Sequence, residues 1–175
     1  MRIYLASPLG FSEAGLRFLV RDLLPILTEL HLDVKDPWES IRNRPWPEVV
    51  KSVGRLTRRD NELLAKHNAD SIRAADCVVA VLDGTDVDSG TAAEIGYAYA
   101  NQKTIFGYLG DLRVSKDNAV ADINLQIEWF IRESGGGIVK SLDELKKTLE
   151  KFIDEDRALP KRLSSDNLHA PALRS

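Results

Sequence analysis

The sequence predicts an α/β protein built on a doubly wound, five-stranded parallel sheet with helices on both faces. Three observations predict it. Short β-rich runs alternate along the chain with longer amphipathic segments, the pattern of βαβ units. One run, CVVAVLD at 77–83, is continuously apolar and rich in β-branched residues, as expected of a central strand covered on both faces. The loops after the first three runs, ASPLGFSE, DPWES and DGTDVDSGT, carry the polar and glycine residues expected where ligands meet such a sheet.

The first strand is RIYLA (2–6), stopped by Ser7, Pro8 and Gly10. A helix over 12–30 follows, with Leu16, Leu19, Val20, Leu23, Leu24 and Leu27 at helical spacing and Ser12 as its N-cap. Pro25 lacks an N–H and crowds the preceding turn, so it kinks or splits this helix. LDV (32–34) is the second strand and DPWES (36–40) its exit loop. Pro47 suits a first helical position, and a polar amphipathic helix runs from there to about Arg73, broken near Asn68. After the strand at 77–83 come a helix over 91–101, the strand TIFGY (104–108), a helix over 122–133, the strand GIV (137–139) and a helix over 141–153. The last opens with the capping box Ser141-x-x-Glu144. Parallel strands joined by right-handed crossovers make this a flavodoxin-like sheet. The expected organisation is one domain over residues 1–156 and a tail over 157–175. The tail has two prolines and little apolar periodicity, so it is loose or strapped onto something else, such as a neighbouring subunit.

Composition narrows the function. With 43% hydrophobic and 29% charged residues over 175, the chain has the makeup of one soluble globular domain. A net charge of −3 argues against an electrostatic grip on nucleic acid or anionic lipid. Cys77 is the only cysteine, so neither a disulfide framework nor a thiolate metal cluster is expected. The start, MRIYLASPLG, is too short and polar for a signal peptide, and no apolar stretch approaches membrane-spanning length. A cytoplasmic protein without membrane or nucleic-acid partners is expected.

The chemistry concentrates in residues 78–108, where Asp83, Asp86 and Asp88 precede Gly90, a helix and the carboxylate of Glu94. Glu94 has two readings. Thr91-x-x-Glu94 fits a capping box, and a first-turn carboxylate gains about 0.3–1 kcal/mol from the helix dipole. Alternatively, Ile95, Ala98 and Tyr99 face the sheet while Glu94 points at the crevice among small residues, Gly90 included, that leave a ligand room to approach. That is the position of a nucleophile. Other motifs fit less well. Asp83 lacks the second aspartate of an aspartyl-phosphate phosphatase, and no Walker A run or GxGxxG follows the first strand. The three aspartates lack the partners of a magnesium site, and His31, His67 and His169 lack zinc spacing. The arginine-rich RLTRRD (55–60) reads as a solvated helix face.

IYLASP (3–8), AADCVVAVLDG (74–84), DSGTAAEIGYAYA (88–100) and INLQIEWF (123–130) resemble, in that order, the nucleoside 2-deoxyribosyltransferase family. The resemblance implies a flavodoxin-like enzyme that moves 2-deoxyribose between nucleobases by double displacement through a glycosyl-enzyme ester. Nucleosides and nucleobases would be its small-molecule partners, with no metal or organic cofactor required. On the matching positions, Glu94 is the nucleophile, Tyr4 steadies it, and Asp88 binds the sugar hydroxyls. Asn124 matches an asparagine that reaches the sugar from a neighbouring subunit, which implies a homo-oligomer. Where the family has an aspartate near the base, this chain has Asn68, which cannot give up a proton as an acid. Trp38 and Phe11 on the converging loops offer aromatic cover for a base. The helix N-terminus is expected to keep Glu94 ionised.

Two other functions compete. A related branch hydrolyses nucleoside 5′-monophosphates and carries a serine near the phosphate where this chain has Asp88. A carboxylate there repels a phosphate dianion, although Ser7, Ser12 and Arg17 offer a small anion site. The second competitor is a non-catalytic nucleoside or nucleotide sensor on the same fold. The pairing of Glu94 with Tyr4 speaks against it.

Overall fold

The computed structural model describes residues 1–113 and 116–158. Five strands form one sheet: β1 (Arg2–Ala6), β2 (Asp33–Lys35), β3 (Cys77–Val81), β4 (Thr104–Tyr108) and β5 (Gly137–Val139). Their spatial order is β2-β1-β3-β4-β5, and every pairing is parallel. The order reverses between β1 and β3, so the switch-point crevice opens above Tyr4, which pairs with Val78 in the register.

The helices are α1 (Glu13–Phe18), α2 (Leu24–Glu29), α3 (Trp46–Val53), α4 (Arg58–Ala74), α5 (Ser89–Ala100), α6 (Leu125–Glu133) and α7 (Leu142–Ala158). Strand alternation divides the core in two. Ile3, Leu5, Val79 and Val81 point to one side and pack with Leu16, Leu19, Leu23, Leu27, Leu145 and Leu149. Tyr4, Ala6, Val78 and Ala80 point to the other and pack with Ile72, Ile95, Ala98, Ile127 and Ile131. Every residue of β3 is inaccessible to solvent, which is why its sequence shows no alternation.

Several boundaries differ from expectation for local reasons. The first long helix is divided into α1 and α2, as expected from Pro25, and the device is a π-turn over Leu19–Leu23, where Leu24 N–H bonds to the carbonyl of Leu19, five residues back. Pro25 enters at the start of α2, so the wider turn accommodates a residue without an N–H. The next helical stretch breaks at Gly54–Thr57 instead of near Asn68. Gly54 ends α3, and Thr57 with Asp60 forms a reciprocal capping box that starts α4, which then runs through Asn68 unbroken. Helix α5 begins at Ser89 because Asp88 caps it, so Thr91 and Glu94 form no capping box. At α7, Ser141 Oγ accepts from Glu144 N–H (3.2 Å), but the Glu144 carboxylate takes Lys140 N–H (2.8 Å), one residue short of the full box. α7 continues to Ala158, past the expected domain boundary at 156; the remainder of the tail lies outside the described residues.

Candidate active site

Tyr4 sits on β1, facing α4 and α5, and is almost wholly buried. The period of two along the strand puts its ring on the face opposite Ile3 and Leu5. Its phenol donates a 2.6 Å hydrogen bond to Glu94 Oε1 across 90 residues of sequence. Glu94 lies in the second turn of α5, one residue before Ile95, which anchors that helix in the core. From α4, Asn68 Nδ2 approaches the same Oε1 at 3.5 Å. Three elements thus converge on one carboxylate oxygen, leaving Oε2 clear of both donors.

Burial raises the Glu94 carboxyl from its ordinary range to about 7; the Tyr4 hydrogen bond opposes the shift and the nearby Asp88 charge adds to it. Burial thus works against the expected influence of the helix N-terminus on Glu94, which lies six residues into the helix, and brings its titration close to neutral pH. Tyr4 itself is pushed up, by burial first and then by the Glu94 charge and hydrogen bond. Its phenol stays protonated and hence a donor.

Asp88 has a structural duty. Its Oδ1 accepts Gly90 N–H and Thr91 N–H, both at 3.0 Å, and caps α5. A Cβ on Gly90 would lie 3.1 Å from that oxygen, so glycine eases this close turn. Asp88 Oδ2 has no partner among the described residues. Asp83 and Asp86 shape the loop, as expected. Asp83 accepts Gly110 N–H (2.6 Å) and Asp111 N–H (2.9 Å), tying the β3 exit to the β4 exit, and Asp86 accepts Val87 N–H (2.8 Å).

Next to Asn68 opens a cavity of about 370 Å³, walled by Phe11, Trp38, Ile41 and Leu64, with Asn61 and Asn68 as polar groups on one face of α4. Trp38 is held rigidly: its indole N–H donates to the Ser7 carbonyl (3.0 Å), and its backbone N–H to the buried Asp36 carboxylate (2.7 Å). Phe11 is 69% exposed and stands edge-on to Trp38, with ring centroids 4.7 Å apart. Gly10 permits this arrangement, since a Cβ there would come within 1.9 Å of the indole. The sequence pointed to Phe11, Trp38 and Asn68 but not to Asn61 or Asp36. The spacing of seven between Asn61 and Asn68, two helical turns, was the available signal for the first.

Other residues named from the sequence have partners of their own. Tyr99 packs against the core on the Tyr4 side of the sheet, as expected, and also meets Trp129 and Phe130 of α6 (5.3 and 4.8 Å between centroids). Ser7 Oγ accepts Leu9 N–H (3.1 Å), Ser12 Oγ caps α1 through Gly15 N–H (3.0 Å), and Arg17 pairs with Glu13 (2.6 Å), so the three form no shared anion site. Asn124 caps α6, its Oδ1 accepting Gln126 and Ile127 N–H at 3.1 and 3.3 Å. Among the described residues no group of three or more His, Cys, Asp or Glu side chains could hold a metal, and no helix is long and apolar enough to cross a membrane.

Comparisons with known proteins bear on the fold and the family. No curated protein matches the sequence. A conserved protein from Enterococcus faecalis V583 superposes with a TM-score of 0.67 at 24% identity, over 87% of this chain and 98% of that one. The 2-deoxyribosyltransferase from Bacillus psychrosaccharolyticus gives 0.60 at 22%, over 83% and 90%. A CMP N-glycosidase from Clostridium botulinum gives 0.52 at 21%, over 86% and 99%. At these identities the likeness shows the fold. The sequence model of the nucleoside 2-deoxyribosyltransferases matches residues 3–157. Nearly the whole described chain is covered, and the chain belongs to the nucleoside 2-deoxyribosyltransferase family.

Proposed function

We propose that this protein transfers 2-deoxyribose from one nucleobase to another, with Glu94 as the nucleophile. The observation that carries the reading is the 2.6 Å bond from Tyr4 to Glu94 Oε1, which anchors one oxygen of a half-buried carboxylate beside an apolar cavity. The base lies in that cavity against Phe11 and Trp38. Glu94 Oε2 attacks C1′, the C1′–N bond breaks, and its electron pair leaves with the base. The resulting ester persists while the crevice excludes water. A nitrogen of the second base then attacks C1′, expels the Glu94 carboxylate and gives up its proton, which balances the one the first base takes up on leaving. Asp88 Oδ2 accepts a hydrogen bond from a sugar hydroxyl, while Oδ1 stays committed to the helix cap. The neutral amide of Asn68 steadies Glu94 and hydrogen-bonds the base without acting as an acid. Neighbouring copies of the chain complete the site through Asn124, and the setting is cytoplasmic salvage of nucleosides.

Hydrolysis of a nucleoside 5′-monophosphate is the less favoured reading. The Asp88 carboxylate opposes a phosphate dianion, and Ser7, Ser12 and Arg17 are engaged elsewhere. Chromatography of deoxyinosine incubated with the protein, with and without free adenine, separates the readings. Deoxyadenosine formed only when adenine is added, and abolished in Glu94→Ala, is the expected result. Release of hypoxanthine without exchange indicates a hydrolase, and turnover of neither substrate indicates a binding protein.

A further inference from the structure

A second cavity, sharing no lining residue with the one beside Asn68, lies between the α1/π-turn segment and the loop from β2 to α3. It measures about 550 Å³ and is lined by Arg17, Arg21, Arg42 and Arg44 against a single carboxylate, Glu13. Its size suits a small ligand. In a chain of net charge −3, this concentration of guanidiniums stands out.

The four arginines are not equivalent. Arg17 is paired with Glu13. Arg42 is held from beneath by Asp36, whose side chain is fully buried, so its guanidinium is fixed before any ligand arrives. Asp36 in turn accepts the backbone N–H of Trp38, and the backbone N–H groups of Arg42 and Arg44 donate to the carbonyls of Trp38 and Ile41. The loop that presents these side chains is therefore pinned. Arg21 and Arg44 are exposed and make no ion pair with a described residue. Trp46, half-buried against the core, supplies an apolar wall.

The geometry points to a binding site for a small phosphorylated molecule in this groove, with Arg21 and Arg44 gripping the phosphate oxygens beside the prepositioned Arg42. Guanidiniums present paired N–H donors that match phosphate, and phosphate supplies the negative charge that the groove lacks. Inorganic pyrophosphate is the simplest probe.

Isothermal titration of the full-length protein with pyrophosphate at low salt should show saturable binding that added chloride weakens. Arg21→Ala/Arg44→Ala should weaken it about tenfold or more, while Glu94→Ala binds as the wild type does. Both arginines are exposed, and thermal unfolding of the double variant verifies that it folds. Absence of binding at millimolar pyrophosphate overturns the assignment, as does equal binding by the double variant. Displacement of pyrophosphate by deoxyinosine also overturns it, because the anion would then occupy the Glu94 crevice.

Discussion

Glu94 illustrates how the burial of a single carboxyl sets a cost in stability that depends on pH. Its carboxyl is raised from 4.5 to about 7, and at about 1.4 kcal/mol per pH unit of displacement, holding it ionised costs up to about 3 kcal/mol. Because the folded-state value is raised, folding is unpenalised below pH 4.5 and loses stability as pH rises through 7. Glu94→Gln, which mimics the protonated form, should therefore be more stable than wild type at pH 8, with the gap closing below about pH 4.5 in denaturant titrations. If Glu94 is the nucleophile of the proposed transfer, the rate should follow the opposite course in wild type, rising through pH 7 as its carboxyl ionises. Tyr4→Phe removes the hydrogen bond that favours the charged carboxylate, so the acid limb of its pH–rate profile should move to higher pH and its maximal rate should fall. An unmoved limb would show that Tyr4 does not act on Glu94. Asn68→Asp places a second carboxyl about 3.5 Å from Glu94 Oε1. The two would share a proton, and the rate should gain a descending alkaline limb that wild type lacks. The residue types were legible in the sequence. The raised titration of Glu94 was not, because desolvation depends on what covers a side chain and not on its neighbours in the chain.

At the scale of elements, α5 does double duty through Asp88. Replacing it with alanine removes the cap and should cost about 1 kcal/mol of stability. Asp88→Asn keeps a good cap but removes a charge that raises Glu94, so its stability should hold while the acid limb of transfer moves to lower pH. Measured together, stability and pH profile separate the two duties of this residue. The start of α5 was misread because Asp88-x-x-Thr91 and Thr91-x-x-Glu94 both have the form of a cap, and only the path of the incoming chain selects between them. The continuity of α4 through Asn68 was likewise hidden, since Gly54 and the Thr57–Asp60 box, not the polar run further on, set where the helices divide. Strands were easier to read. Their limits follow from β-branched runs bounded by breakers, and each lay within two residues of its expected end.

Across the whole molecule, the two faces of the sheet carry separate burdens. Leu145 is fully buried in the core on the side away from Glu94. Leu145→Ala should cost about 2–5 kcal/mol of stability and leave the transfer rate per folded molecule unchanged. Assembly has its own test. If Asn124 serves a neighbouring copy, mixtures of Glu94→Ala with Asn124→Ala, each inactive alone, should regain part of the activity after joint refolding. No recovery would confine the site to a single chain.

What the sequence by itself determined is the alternation of strands and helices, the parallel five-stranded sheet and the choice of Glu94 as the residue to watch. Those features rest on local periodicity and on motifs a few residues long, which a linear reading captures. Only the tertiary structure decided that Tyr4 and Asn68 close on one oxygen of Glu94, that Asp88 spends half its carboxylate on a helix cap, and that four arginines share a groove. Each joins groups far apart in the chain or turned by the pitch of a helix. Their distances and burial follow from packing, and packing sets both the charge a carboxylate carries and the direction it faces.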